Sequence, residues 1–195
     1  SVAWSRDDRD STISPTSGAL RRVSGELGVI GDARYVRTNL QYQQYVPLNK
    51  QYTLAFNGEL GWGAGLGGRP FPVFKHFYSG GLGSVRGFDQ GTLGPRDITG
   101  SSIGGPRKIT LNAEAIAPFP GAGNDRSLRV FGFVDVGNVF GEDEPLKVGD
   151  LRASVGVGLS WLSPIGPLRL AAAQPVRKQA GDRIQRFQFQ IGTSF

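Results

Sequence analysis

The stretch Phe77-Tyr78-Ser79-Gly80-Gly81-Leu82-Gly83-Ser84-Val85-Arg86-Gly87-Phe88 interrupts a chain that otherwise alternates between apolar and polar residues. It lies within residues 64–106, where glycine, proline and aromatic residues surround one arginine. Loops of this length are uncommon in compact folds and are usually functional or disordered. The apolar side chains argue against disorder, because they would seek a packed site. We therefore predict an ordered long loop that carries Arg86 to a partner, with an ordinary glycine-rich surface loop as the alternative.

Most of the remaining sequence follows a period of two. In the segment from Tyr52 to Trp62, aromatic and aliphatic residues alternate with small and polar ones. This alternation is typical of β-strands whose two faces meet different surroundings, and no stretch shows a helical period. Such runs predict about nine strands. They lie near residues 1–9, 18–28, 34–47, 51–63, 107–118, 127–140, 150–162, 167–177 and 185–195.

Two all-β architectures are compatible with this alternation. In a soluble sandwich or barrel the apolar faces point to a core, whereas in an outer-membrane barrel they point to lipid and the polar faces line the lumen. The predicted strands are about ten residues long, which exceeds the roughly five or six usual in soluble sheets and suits the crossing of a bilayer. Their polar faces are rich in glutamine, asparagine, arginine, glutamate and glycine. The sequence therefore favours an antiparallel transmembrane β-barrel.

Composition argues against several other kinds of site. The 195-residue chain has no cysteine and one histidine, His76, which excludes disulfides, a Cys/His zinc site and a histidine-based triad. The net charge of +6 comes from dispersed arginines, so we expect no nucleic-acid binding. Residues 63–68 have the glycine spacing of a dinucleotide site, but Pro70 and Pro72 follow where a helix would have to begin. We therefore expect that the protein is not an enzyme and that it has no catalytic residue, cofactor or metal site.

The motif Val85-Arg86-Gly87-Phe88 is followed by further motifs, in order, along nearly the whole chain. They lie at residues 93–96, 134–140, 160–168, 173–175 and 188–195. Together they resemble the BamA group of the outer-membrane assembly and two-partner-secretion superfamily. The resemblance implies a sixteen-stranded barrel preceded by periplasmic POTRA modules. Because about nine strands and no POTRA-like sequence are present, residues 1–195 resemble the C-terminal half of such a barrel, with the long loop at about 64–106.

The resemblance also assigns roles to individual residues. It implies that Arg86 points from a loop folded into the lumen and pairs with acidic residues on the barrel wall. Strand parity places Glu114 and Asp135 on inward faces, which makes them the implied partners of Arg86. The alternative is that both carboxylates simply line a wet lumen.

The function implied by the resemblance is folding and insertion of other β-barrel proteins in the bacterial outer membrane. The junction between the first and last strands would open laterally, and substrate strands would add to the last strand by β-augmentation. The outward residues of that strand, which also resemble a C-terminal targeting signal, are Phe187, Phe189, Ile191 and Phe195. Its inward residues, Gln188 and Gln190, would face a wet lumen and tolerate substitution.

The implied partners are outer-membrane lipid, unfolded outer-membrane proteins as substrates, other subunits of the assembly complex and periplasmic chaperones. Half a barrel would also expose two strand edges, so the chain alone could pair edge to edge with a second copy. Two other functions stay open. One is a two-partner-secretion transporter that exports a soluble partner; the other is a small self-contained pore or structural barrel. About nine strands suit the second poorly, because bacterial single-chain barrels have even strand numbers.

Overall fold

Eleven strands make up almost all of the regular structure in the computed structural model of the chain, which describes residues 1–29, 33–121, 127–164 and 166–192. In chain order they are β1 (Val2–Asp7), β2 (Gly18–Gly28), β3 (Tyr35–Pro47), β4 (Thr53–Gly65), β5 (Gly87–Phe88), β6 (Arg107–Pro118), β7 (Leu128–Phe140), β8 (Arg152–Ser163), β9 (Gly166–Arg177), β10 (Ile184–Gln185) and β11 (Phe187–Ile191). Two short 3-10 turns, Val73–Lys75 and Val148–Asp150, are the helical elements of these residues. No helix in the described part is long and apolar enough to span a membrane.

Nine of the strands form one antiparallel sheet, which confirms the predicted all-β class. Its order is β1-β2-β3-β4-β6-β7-β8-β9-β11, so each long strand pairs with the long strands next to it in the chain. The seven strands between the two edge strands contain 11 to 13 residues each. That length is enough to cross a bilayer at a tilt. Among the described residues β1 and β11 do not pair with each other, so the barrel is not closed.

The two faces of the sheet differ as the alternation predicts. Apolar side chains of one face, the outer face, are exposed, as at Phe56, Trp62 and Leu111. The opposite face, the inner face, carries polar side chains such as Asn57 and Asn112, and the long loop covers part of it. Soluble proteins rarely expose apolar patches larger than a few hundred Å², so an outer face of this kind suits lipid.

The two open edges lead to a prediction about the chain in isolation. Unpaired backbone N–H and C=O groups cannot be left unsatisfied in an apolar phase, and each edge offers a complete row of them. We expect the 195-residue chain, refolded alone in detergent, to associate edge to edge. Light scattering should give a protein mass of at least twice 20.9 kDa. A homogeneous monomer would contradict this expectation.

Candidate functional site

The long loop, which spans residues 66–106 in the structure, lies across the inner face and contacts it in three places. Its first part packs on β3 and β4. Its middle, with the 85–88 motif, packs on β6 and β7. Its later part contacts the residues between β9 and β11. The loop is therefore an ordered part of the sheet's inner face, in the manner that its apolar residues predict.

Aromatic side chains make the first of these contacts. The ring of Phe71 meets Tyr35 edge to face, with 5.9 Å between ring centroids. Arg37 lies 4.1 Å above the ring centroid of Phe77. Room for that ring comes from Gly61 on β4, where an added Cβ would lie 2.7 Å from a ring carbon. The absence of a side chain at Gly61 thus lets the loop pack closely on the inner face.

Arg86 makes the central contact, and its side chain is almost completely buried. Its Nε and Nη2 atoms donate to the two carboxylate oxygens of Asp135 at 2.7 and 2.6 Å. The backbone amide of Arg86 donates to Oδ2 of the same carboxylate at 3.0 Å. The remaining guanidinium nitrogen, Nη1, donates to Oε1 of Glu114. The planar fork of arginine fits this bidentate arrangement, whereas the single ammonium of lysine does not.

Further inner-face residues complete the cluster around Arg86. Arg169 on β9 donates to both oxygens of Glu114 at 2.9 Å. Asn112 on β6 donates to Asp135 at 2.8 Å, and the ring centroid of Phe133 lies 3.6 Å from the Arg86 guanidinium carbon. These three residues were not among the predicted partners of Arg86. Their inward parity, which they share with Glu114 and Asp135, was the signal that could have found them.

The charges of the cluster balance. Burial by itself would lower the pKa of Arg86, because it disfavours the charged form. The hydrogen bond to Asp135 and the negative charges of Glu114 and Asp135 act in the opposite direction, and the net result is a raised pKa. Two guanidinium groups, those of Arg86 and Arg169, therefore face two carboxylates. Such a set of paired charges fixes the loop to the wall.

The other residues of the 85–88 motif also have defined places. Val85 and Phe88 are fully buried and pack with Leu93 inside the loop. Gly87 has a φ of +88°, a backbone conformation that side chains with a Cβ rarely adopt. This turn directs Arg86 to the wall and Phe88 into the small core of the loop. No cluster of metal-ligating side chains occurs in the described ranges.

Comparison with known proteins identifies the family of this chain. A family model described as the Omp85 superfamily domain matches residues 1–195. The chain belongs to the Omp85 superfamily. It is 38% identical over 224 residues to the outer membrane protein assembly factor BamA of Neisseria meningitidis serogroup B, covering 100% of this chain and 28% of that protein. Identity to the BamA of Nitratidesulfovibrio vulgaris is 32% over 203 residues, covering 100% of this chain and 25% of the relative.

A solved structure and a eukaryotic relative support the same family. The crystal structure of BamA from Haemophilus ducreyi lacking POTRA domains 1-3 matches with a TM-score of 0.89 and 31% identity, over 96% of this chain and 40% of that one. The human sorting and assembly machinery component 50 homolog is 32% identical over 210 residues, covering 97% of this chain and 44% of the relative. These matches confirm the BamA-type resemblance, the barrel class and the outer-membrane location. This chain spans only part of each relative.

The outward residues of the last strand of this Omp85 chain lie where the alternation predicts. Phe187, Phe189 and Ile191 of β11 all project from the outer face and are more than half exposed, at 78%, 72% and 60%. Phe195 lies outside the described residues. The seam role that the resemblance implies for these positions stays a proposal.

The inward residues of the same strand differ from the expectation. Gln188 does not face a wet lumen; it is 7% exposed and donates to the carbonyl oxygen of Phe88 at 2.7 Å. Gln190 is only partly buried. Parity correctly predicts the face on which Gln188 lies, but the long loop covers that face here. The expectation that Gln188 faces a wet lumen is therefore wrong, and with it the reason for expecting that position to tolerate substitution.

Gly137 on β7 offers a test of how closely the loop packs on the wall of this Omp85 chain. An added Cβ there would lie 2.7 Å from the carbonyl oxygen of Ile109 and 2.8 Å from a methyl carbon of Val85. We expect Gly137→Ala to lower the free energy of unfolding by about 1–3 kcal/mol, the usual cost of overpacking. Gly132→Ala is the matched control on the same strand, because its Cβ would meet nothing closer than 4.0 Å. Denaturant titration of both variants in detergent measures the difference; equal stability would contradict the packing.

Proposed function

We propose that this chain is the C-terminal part of a factor that folds and inserts β-barrel proteins into the bacterial outer membrane, with β11 forming one side of a lateral seam. The observation that carries the proposal is the position of β11: it ends the sheet and, among the described residues, pairs only with β9. The bacterial relative named as an outer membrane protein assembly factor and the human relative named as a sorting and assembly machinery component homolog support this role.

The backbone of β11 presents a regular row of groups at its free edge. Ala173 donates to the carbonyl of Arg186 and Gly192 donates to the carbonyl of Pro167, so the even-numbered residues of this strand are bonded to β9. In an antiparallel pair the next residues point the other way. The N–H and C=O groups of Phe187, Phe189 and Ile191 therefore face the free edge.

Such an edge performs the proposed function by pairing. Unpaired backbone groups at membrane depth are costly, and an incoming strand that adds to the edge satisfies them together with its own. The barrier to inserting a strand falls without any covalent step or cofactor. The partners in this role are membrane lipid, unfolded outer-membrane proteins as substrates, the other assembly subunits and periplasmic chaperones.

The matching experiment removes one edge donor without disturbing the pairing to β9. Phe189→Pro eliminates an N–H at the free edge, and proline is tolerated on edge strands when its nitrogen faces away from the sheet. In a complete protein carrying this chain, reconstituted in lipid vesicles, we expect a substrate barrel to fold about tenfold more slowly, because one backbone partner stays unsatisfied. Phe189→Leu, which keeps the N–H and an apolar side chain, is the control. Equal rates for both variants and the unaltered protein would contradict the seam.

A further inference from the structure

The last hairpin, made of β9, β11 and the residues between them, is fastened to the long loop from the inside. Nε2 of Gln188 donates to the carbonyl oxygen of Phe88 at 2.7 Å, and the amide of Gly87 donates to Oε1 of Gln188 at 3.4 Å. Beside them β5 and β10 pair as a two-residue ladder, with Gln185 opposite Gly87. The side-chain amide of Gln188 thus extends a backbone ladder onto the edge strand.

A second attachment lies in the middle of the connection between β9 and β11, at Asp182. Asp182 is 1% exposed at its side chain and accepts two hydrogen bonds from Arg152 of β8, both at 3.1 Å. Arg96 of the long loop lies 3.7 Å from the same carboxylate. The backbone amide of Gln179 donates to it at 2.8 Å. One buried carboxylate therefore joins the connection, the long loop and β8.

The position of these contacts follows from what a free edge requires. β11 pairs with β9 over only five residues, and its other edge must stay open if a strand is to add there. Its outer face carries Phe187, Phe189 and Ile191, which can make no polar contact with lipid. The inner face is then the one direction from which polar contacts can hold the strand. Gln188 lies on that face and is buried by the loop.

We propose that Gln188 and Asp182 are positioning residues, through which the long loop holds the template edge of β11 in place for an incoming strand. This inference rests on the proposed function and adds to it the element that sets the edge. The loop is then more than a plug of the inner face. It carries Gly87 and Phe88 to the seam strand while Arg86 fixes the same segment to β6 and β7.

The test measures the mobility of β11 and the folding of a substrate in the same complete protein in vesicles. Gln188→Leu keeps the approximate size of the side chain but removes both of its bonds to the loop. We expect amide hydrogen exchange at Gln188 and Gln190, whose N–H groups face β9, to rise about tenfold, because the carbonyl of Phe88 loses its donor from β11 and keeps only the amide of Gly81. Substrate folding should slow by a similar factor. Gln190→Leu, two residues along on the same face, should change both quantities less than about twofold. Asp182→Asn, with the same shape, provides a second variant that weakens the fastening.

A reversible cross-link separates positioning from general destabilisation. Asp89 and Arg183 continue the β5–β10 ladder, since the amide of Asp89 donates to the carbonyl of Arg183 at 2.9 Å. This chain has no cysteine, so Asp89→Cys with Arg183→Cys introduces a defined pair. In the Gln188→Leu background, oxidation should restore the slow exchange of β11 and the substrate folding rate of the unaltered protein. Reduction should return both quantities to the values of Gln188→Leu alone.

Three results would overturn the inference. The first is exchange of β11 within about twofold of the unaltered protein in both Gln188→Leu and Asp182→Asn. The second is raised exchange of β11 in Gln188→Leu with an unchanged substrate folding rate, while Phe189→Pro still slows folding. This outcome leaves the seam intact and removes only the positioning role of Gln188 and Asp182. The third is a substrate folding rate that stays unchanged in Phe189→Pro as well, which rejects the proposed function together with the inference.

Discussion

Arg86→Ala is expected to release the long loop from the inner face while the strand ladders persist. The fully buried carboxylate of Asp135 would lose the two hydrogen bonds from the Arg86 side chain, and Glu114 would keep only Arg169. Removing one partner of a buried ion pair typically costs about 3–5 kcal/mol, mainly because a buried charge is left uncompensated. We therefore expect the free energy of unfolding to fall by about that amount.

Limited proteolysis of a complete protein carrying this chain measures the release. Cleavage within residues 66–106 should accelerate strongly in Arg86→Ala, and less in Arg86→Lys, which keeps the charge but not the fork. Ile98→Ala changes a fully exposed residue of the same loop and serves as the control. The double variant Arg86→Ala with Asp135→Asn should be cleaved more slowly than Arg86→Ala alone, because no buried charge is stranded. An unchanged cleavage pattern in Arg86→Ala would show that the arginine is not the anchor.

Lysine substitutions along β11 should be harmful at two of the three positions compared and mild at the third. Phe189→Lys places a charge on the lipid-facing side, which costs up to about 2–4 kcal/mol near the bilayer midplane. Gln190→Lys lies on the inner face in a partly open position and should cost little. Gln188→Lys should be as harmful as an outward change, because it removes the amide oxygen that accepts from Gly87 and buries an ammonium.

Folding of these lysine variants into lipid vesicles, read by altered gel migration of the unheated barrel, gives the yield of each. We expect a high folding yield for Gln190→Lys and low yields for Phe189→Lys and Gln188→Lys. Equal tolerance at Phe189 and Gln190 would contradict the membrane-facing assignment of the strand. Tolerance at Gln188 would contradict the contact with the long loop.

The alternation of residues predicts most of the sheet, because a period of two follows directly from strand geometry. It places the strand bounds near those observed and puts Glu114 and Asp135 on the inner face. It fails at the last strand, predicted over residues 185–195, where the structure has β10 and β11 separated by one residue. The reason is local: Gln185 pairs with Gly87 of the long loop and not with β9.

The partners of the inner-face residues could not be predicted in the same way. Parity shows the face on which Gln188 or Arg169 lies, but only the path of the long loop decides what covers that face. Gly61 and Gly137 read as ordinary glycines in strands, yet a Cβ at either position would collide with a side chain of the loop. The resemblance to the BamA group implied the pairing of Arg86 with Glu114 and Asp135, whereas alternation alone placed both carboxylates on the inner face without a partner.

The most direct test of the seam is to capture a substrate strand on the edge of β11. Cysteine at Ile191, whose backbone faces the free edge, is combined with single cysteines along the terminal strand of a substrate barrel, and disulfides are trapped during folding in vesicles. Cysteine at Val155, an exposed outward position on the internal strand β8, is the control. We expect capture at Ile191 in one register with a two-residue period, and none at Val155. Equal capture at both positions, or complete substrate folding without capture at Ile191, would contradict the lateral seam.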